Sequence, residues 1–106
     1  MDERLSRTIE ERTDELAALA ADLIRFPTVN PPGDAYRPCA EFIADRLRKR
    51  SFGVEFIRAE GTPGDSDRYP RINVVARFDG RTRGSTVHFN SHIDVVEAGE
   101  GWTVDP

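Results

Sequence analysis

The chain has 106 residues, of which 38% are hydrophobic and 32% are charged, and its formal net charge is −4 at pH 7. A chain of this length forms one domain at most and buries less than about 70% of the surface that its unfolded form exposes. The acidic balance argues against a nucleic-acid-binding protein, since the basic residues are scattered apart from a cluster at residues 46–50.

Cys39 is the single cysteine, so an internal disulfide is impossible. Its place among apolar residues of a predicted helix favours a buried thiol over a nucleophile. The N-terminal residues are charged and contain no long apolar run, which predicts neither a signal peptide nor a transmembrane helix. We therefore expect a cytoplasmic protein.

Two helices are predicted in the first half of the chain. Apolar residues recur at spacings of three and four over residues 2–26, and Pro27 ends this helix because the residue before a proline avoids the helical conformation. A second helix is predicted from Asp34, a suitable N-cap, to about Phe52, with Gly53 placed where a helix end favours a left-handed residue. Its apolar face is formed by Tyr36, Cys39, Ala40, Phe42, Ile43 and Leu47.

The connector between these helices, PTVNPPGD at residues 27–34, contains three prolines and a glycine. This composition predicts a stiff loop.

Three strands are predicted in the second half. Residues 54–59 and 71–78 are rich in β-branched and aromatic side chains, and a polar loop at residues 61–70 separates them. A turn at residues 79–84 then leads to a third strand at residues 85–90, which we expect to lie antiparallel to the second. The predicted fold is therefore α/β, with two helices packed on one face of a three-stranded mixed sheet.

The third predicted strand leads into a His-x-Asp pair, His92 and Asp94. Residues two apart on an extended strand point to the same side, so the imidazole and the carboxylate are expected to meet. A neutral imidazole is the commonest metal ligand in proteins, and a neighbouring carboxylate fixes its tautomer and raises its basicity. An isolated His-x-Asp is also compatible with a hydrogen-bonded structural pair.

The sequence around this pair resembles a known motif. The run NSHIDVV at residues 90–96, then GEGW at residues 99–102 and VDP at residues 104–106, resembles the first metal-site motif of the zinc-dependent amidohydrolases. That family holds acetylornithine deacetylase, succinyl-diaminopimelate desuccinylase, the aminoacylases and related carboxypeptidases. The phrase PTVNPPGD is also family-like, so the resemblance extends over nearly the whole chain and matches the opening part of a family member.

The resemblance implies a role for each member of the pair: His92 binds a metal, and Asp94 hydrogen-bonds the imidazole as a catalytic residue. Intact relatives use two zinc or cobalt ions to hydrolyse N-acyl amino acids or small peptides with metal-activated water. Their other ligands and a lid domain used for dimerisation lie further along the family's sequence. Residues 1–106 would then be part of a larger α/β metallohydrolase catalytic domain, and we expect them to be inactive alone. The expected partner is a small substrate, with no nucleic acid and no membrane.

Other residues near the pair are given plainer interpretations. On a strand, His88 would share a face with His92 but lie roughly 13 Å from it, too far to share a metal. We interpret Trp102 as an anchor of its loop, and three carboxylates as solvated loop residues: Glu97, Glu100 and Asp105. The alternative for the whole chain is a non-catalytic α/β fragment or interaction module with no metal site.

Overall fold

The computed structural model describes residues 2–106. It contains three helices and two strands, in the order α1 (Glu3–Glu11), α2 (Thr13–Ile24), α3 (Tyr36–Arg48), β1 (Gly53–Arg58) and β2 (Ile72–Arg77).

The single helix predicted over residues 2–26 is wrong, because the chain breaks at Arg12 into α1 and α2. Arg12 has φ −110° and ψ 15°, outside the helical region. The Thr13 hydroxyl donates a hydrogen bond to the carbonyl of Glu10 at 2.9 Å. Threonine side chains compete in this way with the backbone hydrogen bonds of a helix. Asp2 caps α1, since its carboxylate accepts from the amide of Arg4 at 2.7 Å.

The second helix, α3, begins later than predicted. Asp34 is not its N-cap: Ala35 occupies that position in the left-handed region, with φ 53°, and no side chain caps the helix. The Tyr36 ring is buried, so the start of α3 is set by packing instead of by a polar cap.

The prediction that Gly53 takes the left-handed position after this helix is also wrong. Ser51 takes it, with φ 66°. Its amide donates to the carbonyl of Arg48 at 2.9 Å, and the amide of Phe52 donates to that of Leu47 at 3.1 Å. These two bonds form a Schellman motif, which terminates a helix by satisfying its last carbonyls. Gly53 is therefore left to begin β1.

The sheet has two antiparallel strands, not the predicted three-stranded mixed arrangement. Gly53 pairs with Arg77 and Arg58 pairs with Ile72, with continuous register between them. Residues 85–90 form no strand, and the Phe89 side chain is 89% exposed. The pattern of alternating side chains was present, but a strand also requires a hydrogen-bonding neighbour and a covered face. The α/β class is confirmed.

A small core lies between α3 and the sheet. Its buried apolar residues come from α3 and β2: Tyr36, Cys39, Ala40, Ala44 and Ile72. The predicted burial of Cys39 is confirmed, and burial raises the pKa of its thiol. No helix within residues 2–106 is both long enough and apolar enough to cross a membrane.

Candidate functional site

His92 and Asp94 are in direct contact. Nδ1 of the imidazole lies 3.1 Å from Oδ1 of the Asp94 carboxylate and 3.0 Å from the Asp94 carbonyl oxygen. The His92 side chain is 83% exposed and that of Asp94 is 42% exposed. The expectation that these side chains meet is therefore confirmed, although the residues leading to them are not in a strand.

This geometry favours one tautomer of the neutral His92 imidazole. A carbonyl oxygen and an ionised carboxylate only accept hydrogen bonds, so Nδ1 must be the donor to both. In the neutral ring, the lone pair is then on Nε2. His92 thus presents a basic nitrogen on an exposed side chain, which is the form in which a histidine binds a metal ion.

The Asp94 segment is held against the proline-rich connector. Val29 and Val95 form a parallel β-bridge. The amide of Asn30 donates to the carbonyl of Val95 at 2.9 Å, and the amide of Val95 donates to that of Thr28 at 3.0 Å. The two sequence phrases that resemble the same family are therefore adjacent in space.

Arg71 and Tyr36 form a second group of interacting side chains. The guanidinium of Arg71 lies over the ring of Tyr36, with its central carbon 5.4 Å from the ring centroid. Burial raises the pKa of the Tyr36 hydroxyl, the negative charge of Asp94 raises it further, and Arg71 opposes both effects. The Tyr36 hydroxyl, at the start of α3, is therefore within electrostatic range of the Asp94 carboxylate.

Arg71 is also enclosed by two loops. A β-carbon added to Gly33 would lie 3.3 Å from the guanidinium carbon of Arg71, and one added to Gly64 would lie 3.0 Å from it. Both glycines have positive φ, 99° and 83°. The guanidinium therefore fits between the connector and the loop that joins β1 to β2. This contact could not be predicted from the sequence, because the glycines are recognisable as turn residues but no local pattern pairs them with Arg71.

The remaining predicted residues are not brought together. His88 is exposed, and the strand that would have aligned it with His92 is not formed. The three loop carboxylates, Glu97, Glu100 and Asp105, are exposed as expected. Trp102 donates through Nε1 to the carbonyl of Ala98 at 2.7 Å but is 58% exposed, so it anchors its loop through this hydrogen bond and not by packing. Over the described part of the chain, no group of three or more His, Cys, Asp or Glu side chains could hold a metal ion.

The donor set therefore fits one ligand of a metal site and its supporting carboxylate. His92 offers the lone pair of Nε2, and the Asp94 carboxylate accepts a hydrogen bond from Nδ1. A catalytic zinc takes three protein ligands, so the remaining two would have to be supplied from outside this pair.

Comparison with known proteins gives a consistent group of relatives. The chain is 35% identical over 96 residues to succinyl-diaminopimelate desuccinylase of Methylobacterium radiotolerans, covering 88% of this chain and 22% of the relative. It is 39% identical over 83 residues to the same enzyme of Xanthobacter autotrophicus, covering 78% of this chain and 20% of that relative. It is 30% identical over 106 residues to N-formyl-4-amino-5-aminomethyl-2-methylpyrimidine deformylase of Bacillus subtilis, covering 96% of this chain and 23% of the relative.

The chain thus spans about a fifth of the length of the curated relatives that it matches. No protein-family model matches it. No solved structure matches it either.

Proposed function

We propose, from the premise that this chain belongs to the metallohydrolase family of the succinyl-diaminopimelate desuccinylases, that it carries the first metal-ligand motif of an amidohydrolase. The reaction is hydrolysis of the amide bond of an N-acyl amino acid or small peptide by metal-activated water. The named relatives remove a succinyl and a formyl group from small molecules, which supports a small acylated substrate. The proposed compartment is the cytoplasm.

The observation that carries this proposal is the contact between Nδ1 of His92 and the Asp94 carboxylate at 3.1 Å. In the proposed site, His92 is a metal ligand through Nε2. Asp94 keeps the proton on Nδ1, holds the ring in orientation and raises the basicity of the ligating nitrogen.

The metal would be zinc or cobalt, with two ions in the complete site. A bound zinc ion would act as a Lewis acid and would lower the pKa of a water molecule bound to it toward neutrality. A zinc ion held only by His92 would retain too few protein ligands for this chemistry. We therefore propose that the 106-residue chain does not hydrolyse amides by itself.

Zinc titration of the chain, followed through the imidazole NMR signals of both histidines, tests the assignment. We expect zinc to shift the His92 ring signals while those of His88 change little, because only His92 has its second nitrogen held by a carboxylate. His92→Ala should remove the response and His88→Ala should preserve it. Asp94→Asn should weaken it by about 10- to 100-fold, the usual effect of losing a supporting partner.

Two outcomes would count against the proposal: equal responses from the two histidines, or no response at His92. Either would favour the alternative, a non-catalytic α/β fragment or interaction module. The activity itself is tested on the complete reading frame of the gene, by release of succinate from N-succinyl-diaminopimelate. His92→Ala in that protein should abolish the release, and His88→Ala should not.

A further inference from the structure

The buried polar side chain of Thr28 contacts the Asp94 segment directly, at the backbone of Ile93. Thr28 is 2% exposed. Its hydroxyl lies 2.6 Å from the carbonyl oxygen of Ile93, 65 positions away in sequence, and 3.5 Å from that of Phe26. A hydroxyl has one proton, so the shorter contact identifies the Ile93 carbonyl as its acceptor.

Thr28 holds both peptide groups that flank the α-carbon of Asp94. Its hydroxyl binds the carbonyl of the Ile93–Asp94 peptide at 2.6 Å. Its own carbonyl accepts from the amide of Val95, in the Asp94–Val95 peptide, at 3.0 Å. Because a peptide group is planar, fixing the two planes fixes φ and ψ of the residue between them.

The second of these peptides also contacts His92. Its carbonyl oxygen, that of Asp94, lies 3.0 Å from Nδ1 of the imidazole. In a trans peptide the N–H and C=O groups point in opposite directions. Thr28 therefore binds the N–H of the Asp94–Val95 peptide, and His92 contacts the C=O on its opposite side. The contacts of Thr28 therefore orient Asp94. They also position the carboxylate and the carbonyl oxygen of Asp94, which are the two acceptors for the proton on Nδ1 of His92.

We propose that Thr28 is a positioning residue for the His92–Asp94 pair, acting through the backbone of Asp94. This inference rests on the proposed function for the importance of the pair, but the contact itself is tested without a metal. It assigns a role to the connector PTVNPPGD: the connector carries the residue that keeps the Asp94 carboxylate on the imidazole.

The test measures the tautomer of His92 from the 15N signals of its ring, in the metal-free chain at a fixed pH near 8. Thr28→Val removes the hydroxyl but keeps the branched shape. We expect the ratio of the Nδ1–H to the Nε2–H form of His92 to fall about two- to tenfold, as the loss of an ordinary hydrogen bond implies. His88 in the same spectrum is an internal reference and should not change.

Two kinds of control separate positioning from general stability. Thr62→Val removes a hydroxyl that donates to the Ala59 carbonyl at 2.7 Å, a similar bond in the loop between β1 and β2, and should leave the ratio unchanged. Thr28→Ser and Thr28→Ala differ from each other only by the hydroxyl oxygen. The serine variant should retain the wild-type ratio and the alanine variant should lose it, which provides a second comparison if the valine variant does not fold.

The inference is overturned if the variants without the hydroxyl fold and keep the wild-type tautomer ratio. That result would leave the zinc response of His92 untouched as support for the proposed function. Conversely, a ratio that depends on Thr28 in a chain whose His92 does not respond to zinc would confirm the positioning contact and remove the metal role.

Discussion

The carboxylate of Asp65 and the guanidinium of Arg58 form a bidentate pair, with both Nε–Oδ1 and Nη2–Oδ2 at 3.0 Å. The Asp65 side chain is 3% exposed. It also accepts from the amides of Arg71 at 3.0 Å and Gly61 at 3.2 Å. These bonds organise the loop between β1 and β2, which in turn holds one side of the Arg71 guanidinium.

The first prediction concerns the effect of acid on this loop. The hydrogen bonds from Arg58, followed by the amide of Arg71, lower the pKa of Asp65 from 3.8 to about 2. A group whose pKa is lower in the folded state stabilises the fold above its unfolded pKa and ceases to do so as it becomes protonated. The contribution of Asp65 should therefore be complete above about pH 4 and be lost as the pH falls toward 2.

Urea unfolding at several pH values between 2 and 6 measures this effect. Asp65→Asn should flatten the dependence of the unfolding free energy on pH in that window. Asp67→Asn is the matched control: Asp67 also contacts Arg58, at 3.0 Å, but its side chain is 99% exposed. If the Asp67 variant flattened the curve as much as the Asp65 variant, the explanation would be incorrect.

The second prediction concerns the fit of Arg71 against Gly64. Gly64 and Gly61 both have positive φ, 83° and 74°. An added β-carbon would meet the Arg71 guanidinium at Gly64 but nothing within 4 Å at Gly61. Gly61→Ala should cost only the backbone penalty of about 1–2 kcal/mol. Gly64→Ala should cost more, because it displaces the guanidinium as well.

A double-mutant cycle isolates the part of the Gly64→Ala cost that comes from displacing the Arg71 guanidinium. In an Arg71→Ala background, Gly64→Ala and Gly61→Ala should lower the unfolding free energy by similar amounts, since the clash is gone. Equal costs in the wild-type background would show that the guanidinium moves aside freely.

The third prediction concerns the close contact of α3 with the sheet. Ala40 has no exposed surface, so Ala40→Leu overfills the core and should lower the unfolding free energy by about 1–3 kcal/mol. Ala18 lies on the exposed surface of α2, and Ala18→Leu should change stability by less than about 0.5 kcal/mol. Denaturant titration of the two variants measures the difference, and a neutral Ala40 variant would mean that α3 is loosely packed.

The fourth prediction concerns the thiol of Cys39. Its side chain is buried and its pKa is raised, so both access and thiolate population are low. A disulfide reagent such as dithionitrobenzoate should react with it only as fast as the chain opens, and sub-denaturing urea should accelerate the reaction. A rate equal to that of a small free thiol would contradict the burial of Cys39 between α3 and the sheet.

Local patterns predicted much of the fold correctly. The burial of Cys39 followed from apolar periodicity in its helix, and the first two predicted strands, at residues 54–59 and 71–78, are close to β1 and β2. The errors concern where the helices begin and end and which backbone segments pair in the sheet. The break at Arg12 and the Schellman motif at Ser51 depend on individual hydrogen bonds, which periodicity does not report.

The contact between the His92 and Asp94 side chains was predicted and is confirmed, while the metal-binding role of His92 and the catalytic role of Asp94 stay predictions. The contact between His92 and the carboxylate two positions later follows from the short separation of the two residues. The resemblance to the desuccinylase family came from the same stretch, and the curated relatives support it. The contact of Thr28 with Ile93 was not predicted, although the β-branched pair Thr28-Val29 within a proline-rich loop was a signal for a short extended segment.

The sequence alone determined the helical character of the first half, the positions of β1 and β2, the buried thiol and the resemblance to the desuccinylase family, because these depend on side chains that are neighbours along the chain. Only the tertiary structure decided that the connector at residues 27–34 lies on the Asp94 segment, and that β1 pairs with β2 while residues 85–90 remain unpaired. The physical reason is that long-range pairing requires two particular stretches of backbone to satisfy each other's hydrogen bonds. Packing of the whole chain selects which stretches meet.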